Sequence, residues 1–393
     1  MNIKVADRLL GTEEYYFSKK LSEIEKLNQT GEKGIILGIG SPDLPPSPEV
    51  IEILREEACK PGNHGYQSYK GSPVLRQAFA DWYARFYDVQ LDSATEILPL
   101  MGSKEGILHI CMTYLQAGDE ALIPNPGYPT YASAVRLSSA KGVYYSLEEG
   151  KGWLPDLKEL EQLVTPNTKL MWIDYHHMPT GTRATFSFFE ELVDFASAKQ
   201  ILLCHDNPYS FILNPEPMSL LRVEGSKEVA IELNSLSKSS NMAGWRIGML
   251  AGKAERINEI LRFKSNMDSG MFLPLQLAAV KALSLEQDWY DSVNETYAKR
   301  KTLACTLLDQ IGCTYSTVQS GLFIWAKIPK SCTDGYELSD KILEKARVFI
   351  TPGGIFGSQG EKYIRVSLCA SEETFKLAMQ RIAATKLTFT NVY

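Results

Sequence analysis

Residues 235–248 read Ser-Leu-Ser-Lys-Ser-Ser-Asn-Met-Ala-Gly-Trp-Arg-Ile-Gly, small hydroxyl residues around Lys238 with Arg246 eight positions later. An apolar run of buried-strand type stands on each side, at 229–233 and 247–251. Working back toward the N-terminus, further apolar runs at 201–204, 169–173, 121–123 and 96–100 alternate with amphipathic stretches. That alternation is the pattern of βαβ units and predicts an α/β fold on a mostly parallel sheet. Ser47-Pro48 and Ser72-Pro73 each put a capping hydroxyl before a proline suited to a first helical turn. The second should open a helix of about four turns ending at Tyr87. Beyond residue 285 the texture changes to a long helix at 288–310, a strand at 322–327, a helix at 336–346, a strand at 363–368 and a last helix from Ser371. The expected organisation is a large domain over 43–285 and a smaller α+β domain built from 1–42 and 286–393. The Gly/Pro-bearing stretch 39–47 (IGSPDLPPS) would cross between them.

Composition narrows the function. The 393 residues carry 41 basic and 47 acidic side chains, a net charge of −6, with no Lys/Arg run. Such a chain offers no general attraction to nucleic-acid phosphates or anionic lipid. The opening MNIKVADRLLGTEEYYF lacks the apolar core of a secretion signal, and no stretch approaches the roughly 20 apolar residues of a spanning helix. Seven dispersed cysteines form no CxxC pair and read as reduced, mostly buried thiols. The expectation is a cytoplasmic protein acting on small molecules.

A lysine in a serine-rich loop is ordinarily a solvated surface group. One that forms a Schiff base needs an anion site nearby and cations that lower its ammonium pKa. Arg246 supplies both a phosphate contact and a positive field, and Ser235 is a further phosphate donor. Ser-x-x-Lys followed eight residues on by Arg resembles the cofactor-lysine segment of the class I/II aminotransferases, the fold type I pyridoxal-5′-phosphate (PLP) enzymes. The resemblance implies a large domain with a mostly parallel seven-stranded sheet, plus a smaller α+β domain.

It also implies a set of site residues, and the sequence carries each in the family's order from about residue 35 to 368. Asp206-Asn-Pro-Tyr209 matches the family's Asp-x-x-Tyr, with Asp206 opposite the pyridine nitrogen, keeping it protonated, and the Tyr209 hydroxyl on the phenolic oxygen. Read without the family, the same four residues are ordinary turn chemistry. Gly102-Ser103-Lys104, between an apolar run and a helix, matches the phosphate cradle. Tyr128, in Pro126-Gly-Tyr-Pro129, takes the place of the aromatic that lies on the cofactor face. Arg365 aligns with the arginine that clamps the substrate α-carboxylate through paired hydrogen bonds. Gly40 matches the loop whose backbone approaches the same carboxylate. Tyr66, five residues before Gly71, matches the tyrosine that reaches the phosphate of the partner's cofactor, which implies a homodimer with shared active sites.

The sequence departs from the family at one place. Where the family reads Asn-Pro-Thr-Gly, this chain has Met178-Pro-Thr-Gly181, preceded by His176 and His177. The family asparagine donates a hydrogen bond to the phenolic oxygen; a thioether cannot. Tyr209 remains as donor, with the two histidines as candidates to help it. Losing a donor is expected to raise the pKa of the lysine–cofactor Schiff base. The histidines are adjacent, point different ways and lack an evident third ligand, so no metal site is expected.

The resemblance implies transamination. An L-α-amino acid displaces Lys238, the freed amine moves the α-proton, and a 2-oxo acid recycles the cofactor. The absence of an obvious second arginine for a side-chain carboxylate points to neutral or aromatic substrates. A β-eliminating carbon–sulfur lyase of the same fold would use the same lysine. A non-catalytic PLP-binding relative is the reading that Met178 keeps open.

Overall fold

The computed structural model describes residues 3–10, 16–29 and 31–385. The helix Tyr16–Asn28 leads to a two-residue strand, β1 (Ile35–Ile36). The central sheet follows: β2 (Ile97–Leu100), β3 (Glu120–Asn125), β4 (Lys141–Ser146), β5 (Thr168–Ile173), β6 (Leu202–Asp206), β7 (Ala230–Ser235) and β8 (Gly248–Gly252). Their spatial order is β2-β8-β7-β6-β5-β3-β4, all parallel except β8, which runs antiparallel to both neighbours. Six of these strands fall within a residue or two of the expected runs. β4 was not among them. It is an edge strand with a glycine at 142 and mostly half-exposed residues, so it carries no apolar run to read.

Alternate residues of each strand feed two separate cores, as the two-residue period demands. Met171 and Ile173 of β5 pack with the helices Pro73–Tyr87 and Phe186–Lys199 on one face, while Leu170 and Trp172 pack with Ser103–Tyr114 and Pro129–Leu137 on the other. The helix Pro73–Tyr87 starts as expected, with the Ser72 hydroxyl accepting the Leu75 N–H at 3.3 Å. Ser47 precedes Pro48 of the helix Pro48–Ala58, but its hydroxyl makes no capping bond.

A second body follows with β9 (Thr314–Tyr315), β10 (Phe323–Lys327), β11 (Val348–Phe349), β12 (Thr351–Pro352) and β13 (Tyr363–Ser367). β12-β13-β10-β9 form an antiparallel sheet, and β11 pairs in parallel with β1. Phe17, Ile24, Ile35 and Leu37 share a core with the helices Gln287–Gln310, Gly335–Ala346 and Glu372–Ala384. The N-terminal segment therefore packs with the C-terminal third. All seven cysteines are free thiols, and only Cys59 is exposed. Among the described residues no helix is long and apolar enough to cross a membrane.

Candidate active site

The parallel strands β3, β5, β6 and β7 end at one edge of the sheet, and β8 begins there, Gly248 lying between Leu100 and Ser235. This is the edge at which α/β sheets bind ligands. A pocket of about 480 Å³ opens on it, lined by Gly40, Ser103, Lys104, Tyr128, Asp206, Tyr209, Ser235, Lys238, Arg246 and Arg365. Ten residues scattered over more than 300 positions of sequence thus converge. Gly102 lies directly behind them. Tyr66 does not join them: it is 93% exposed on this chain.

Lys238 is in a short helix, Leu236–Ser239, rather than a loop, and its Nζ donates to the Gly40 carbonyl at 2.5 Å. Burial pushes its pKa down to about 8; Arg365 and Arg246 push the same way against Cys369 and Asp206. Asp206, at the end of β6, is buried, and that burial raises its pKa to about 6. One of its oxygens, Oδ2, accepts the Tyr131 hydroxyl at 3.2 Å; the other, Oδ1, has no hydrogen-bond partner among the described residues. A buried carboxylate oxygen left unsatisfied beside a pocket asks for a donor from a ligand. A protonated pyridine nitrogen is such a donor.

The anion end is built from small residues and cations. Gly102 has φ +85°, and a Cβ there would lie 2.0 Å from Arg246 Nη2. A Cβ on Gly248 would lie 2.8 Å from the Ser103 amide. Both glycines therefore let the guanidinium and the helix start close on one point, with Lys104 beside them. The Arg246 guanidinium donates to Ala243 O at 2.9 Å and to Ser237 Oγ at 3.4 Å, and Ser235 Oγ lies 2.9 Å from Ser237 Oγ. Cations, hydroxyls and backbone amides around one point suit a phosphate. The residues fit the cofactor at both ends.

Arg365 emerges from β13 nearly buried, its guanidinium 3.8 Å from the Phe323 ring centre and 4.6 Å from that of Phe356. Its Nη2 donates to Gly38 O at 2.9 Å. A Cβ on Gly40 would lie 2.2 Å from Phe323, so only glycine fits where this loop meets the arginine's aromatic bed. Tyr209 faces Lys238 with its ring 5.9 Å from Nζ, and burial holds its phenol protonated, a hydrogen-bond donor.

Several pocket residues were not singled out in the sequence. Tyr131 holds Asp206 and stacks on Trp172 at 4.9 Å; its i+3 spacing from Tyr128 across a helix start was the available signal. Ser237, Asp174, Phe323 and Phe356 also line the site. The expectation for the histidine pair is corrected. His176 and His177 do not line the pocket, and burial pulls both down to a pKa of about 3, so they are neutral imidazoles packed behind it.

A buried lysine, a cluster of cations and small residues fit for a phosphate, and a buried arginine at the carboxyl edge of a doubly covered sheet fit a PLP-dependent transferase. Comparison with known proteins is specific about which. The family "Aminotransferase class I and II" matches residues 32–382, and the chain belongs to it. It is 39% identical over 386 residues to an LL-diaminopimelate aminotransferase of Dehalococcoides mccartyi, covering 98% of this chain and 99% of that one. Substrate-bound BacF of Bacillus subtilis superposes with a TM-score of 0.93 at 33% identity over the whole of both chains. An aromatic aminotransferase of Pyrococcus horikoshii superposes at 0.85 with 29% identity, over 93% of this chain and 98% of that one. The protein is a PLP-dependent aminotransferase.

Proposed function

We propose that this enzyme transfers the amino group of an L-α-amino acid to a 2-oxo acid, with Lys238 as the Schiff-base lysine and proton carrier. The observation that carries the reading is the convergence of Lys238, Asp206 and Arg365 on one pocket. Bound pyridoxal 5′-phosphate supplies the electron sink for the α-carbanion. Arg246, Ser235, Ser103 and the backbone at Gly102 and Lys104 hold its phosphate. Asp206 keeps the ring nitrogen protonated, Tyr128 covers the ring face, and the Tyr209 hydroxyl meets the phenolic oxygen. Arg365 and the Gly40 loop orient the substrate carboxylate. Because Lys238 Nζ rests on Gly40 O, its amine stands beside that clamp. A pKa of about 8 leaves part of it neutral near pH 7, ready to take the α-proton.

The first candidate substrate is a diamino dicarboxylic acid such as LL-diaminopimelate, as the names of full-length relatives 36–40% identical suggest. A neutral or aromatic side chain is the second reading, favoured by the apolar lining of Phe17, Leu21, Ile39 and Phe356. The domain limits 43–285 and 1–42 with 286–393, a homodimer in which Tyr66 crosses to the partner's phosphate, and a cytoplasmic location complete the proposal. It is supported by the shared core of the N-terminal segment and C-terminal third, by the exposure of Tyr66 and by the free thiols. The test is a panel of amino acids with 2-oxoglutarate, reading oxo-acid product and the pyridoxamine form. LL-diaminopimelate turned over well above phenylalanine and leucine supports the first reading, and the reverse order the second. Ammonia and pyruvate from cystathionine without a pyridoxamine form would overturn transamination in favour of β-elimination.

A further inference from the structure

The Met178 departure leaves the phenolic oxygen short of one donor, and the same loop holds a carboxyl group that the reading above does not use. Asp174 follows β5 directly, next to the strand that ends in Asp206, and lines the pocket. Its side chain is 3% exposed. Oδ2 accepts the Met178 backbone N–H at 3.1 Å, which ties the carboxyl to the residue that stands where the family has its asparagine. Oδ1 makes no hydrogen bond among the described residues; the nearest ring nitrogen, His177 Nε2, is 3.5 Å away, too long for a good one.

Among the described residues no cation acts on this group strongly enough to lower its pKa, although Lys238 and Arg365 line the same pocket. Its titratable neighbours are neutral His177, the phenols of Tyr131, Tyr145, Tyr175 and Tyr209, and the carboxyl of Asp206. Burial, with Asp206 adding to it, raises the Asp174 pKa well above the carboxylate range, and one backbone N–H does not offset that. The acid proton belongs on Oδ1, because Oδ2 is already accepting. An O–H without an acceptor among the described residues, at a ligand pocket, is placed to find one on the ligand.

We propose that Asp174 acts as a carboxylic-acid hydrogen-bond donor to the phenolic oxygen of the bound cofactor, standing in for the amide that Met178 lacks. The proposal rests on the cofactor reading above. It narrows the expectation drawn from Met178 alone: the rise in Schiff-base pKa appears only when Asp174 is removed too.

The test uses the PLP-loaded protein and the pH titration of its Lys238-dependent absorption band. Asp174→Ala should raise the Schiff-base pKa by about one to two pH units, the worth of one hydrogen bond to a charged oxygen. Asp174→Ala with Met178→Asn should bring it back, since the amide returns, and Asp174→Asn should stay near wild type. Infrared spectra at neutral pH should show a protonated-carboxyl C=O band that Asp174→Asn removes. A band-forming Asp174→Ala with unchanged pKa, or a wild type without that infrared band, overturns the proposal. Should Asp174→Ala fail to fold, the isosteric Asp174→Asn and the infrared band decide alone. No Lys238-dependent absorption in the wild type would instead sink the cofactor reading beneath it.

Discussion

Asp206 illustrates what the site costs the protein. Its pKa is about 6 when folded against an ordinary value near 3.8, so the folded chain binds the proton more tightly than the unfolded one. Stability from this group is therefore highest below about pH 4 and falls as pH rises to 6. At pH 7 the penalty in the cofactor-free protein is about 3 kcal/mol, taking 1.36 kcal/mol per unit. Asp206→Asn should stabilise the cofactor-free protein against urea at pH 7, with the advantage shrinking toward pH 4, while weakening cofactor function. Equal stability of the two proteins at pH 7 would contradict this. Arg365→Leu should raise KM for the amino acid about 10- to 100-fold, as loss of a charge-assisted pair predicts, with a smaller change in kcat. Lys238, Asp206, Tyr209, Arg246 and Arg365 were legible in the sequence through their match to the family's short segments, and the fold brings all five to one pocket. Tyr131 and Asp174 were not, because their place beside Asp206 and Met178 comes from tertiary contacts that no short segment records.

At the scale of elements, the pocket depends on a crossing segment. Asp43, in the 39–47 stretch, is held by Arg300 of the long helix Gln287–Gln310 through two bonds of 2.6 and 2.9 Å. Arg300 also donates to Leu368 O and is nearly buried, while Asp43 is partly exposed. The pair fixes the chain three residues from Gly40, on which Lys238 rests. Arg300→Met should destabilise the protein by about 2 kcal/mol, less than a fully buried pair would lose because Asp43 keeps contact with water. It should also raise KM, through a looser Gly40 loop. Urea unfolding and steady-state kinetics check both; a KM unchanged despite the lost stability would limit the pair to a structural role. In the central sheet, six of the seven strands could be read from apolar runs. The exception there, β4, lies at the sheet edge where half-exposed residues and Gly142 leave no pattern, and the two-residue strands β1, β9, β11 and β12 are too short to carry a period.

Across the whole molecule, one chain brings ten of the expected site residues to one pocket and leaves Tyr66 exposed outside it. The exposed position of that residue is what a reach into a partner subunit requires. If it crosses, mixing two defective homodimers, Lys238→Ala and Tyr66→Ala, should regenerate about a quarter of intact sites in a random 1:1 exchange. Activity that never exceeds the sum of the two variants would place Tyr66 outside the partner's site. The expected homodimer rests on the family resemblance alone, since composition and hydropathy carry no record of which surface meets another chain. The central claim is that Lys238 in this pocket carries the cofactor and passes amino groups through it. The most direct measurement is the absorption of the cofactor-free protein after adding pyridoxal phosphate, across pH, followed by L-amino acids, with Lys238→Ala alongside. The account predicts a Lys238-dependent band whose rate of formation rises with a midpoint near pH 8, and which gives way to the pyridoxamine form with at least one amino acid. The same band in Lys238→Ala, or a wild-type band that no amino acid converts, would contradict it.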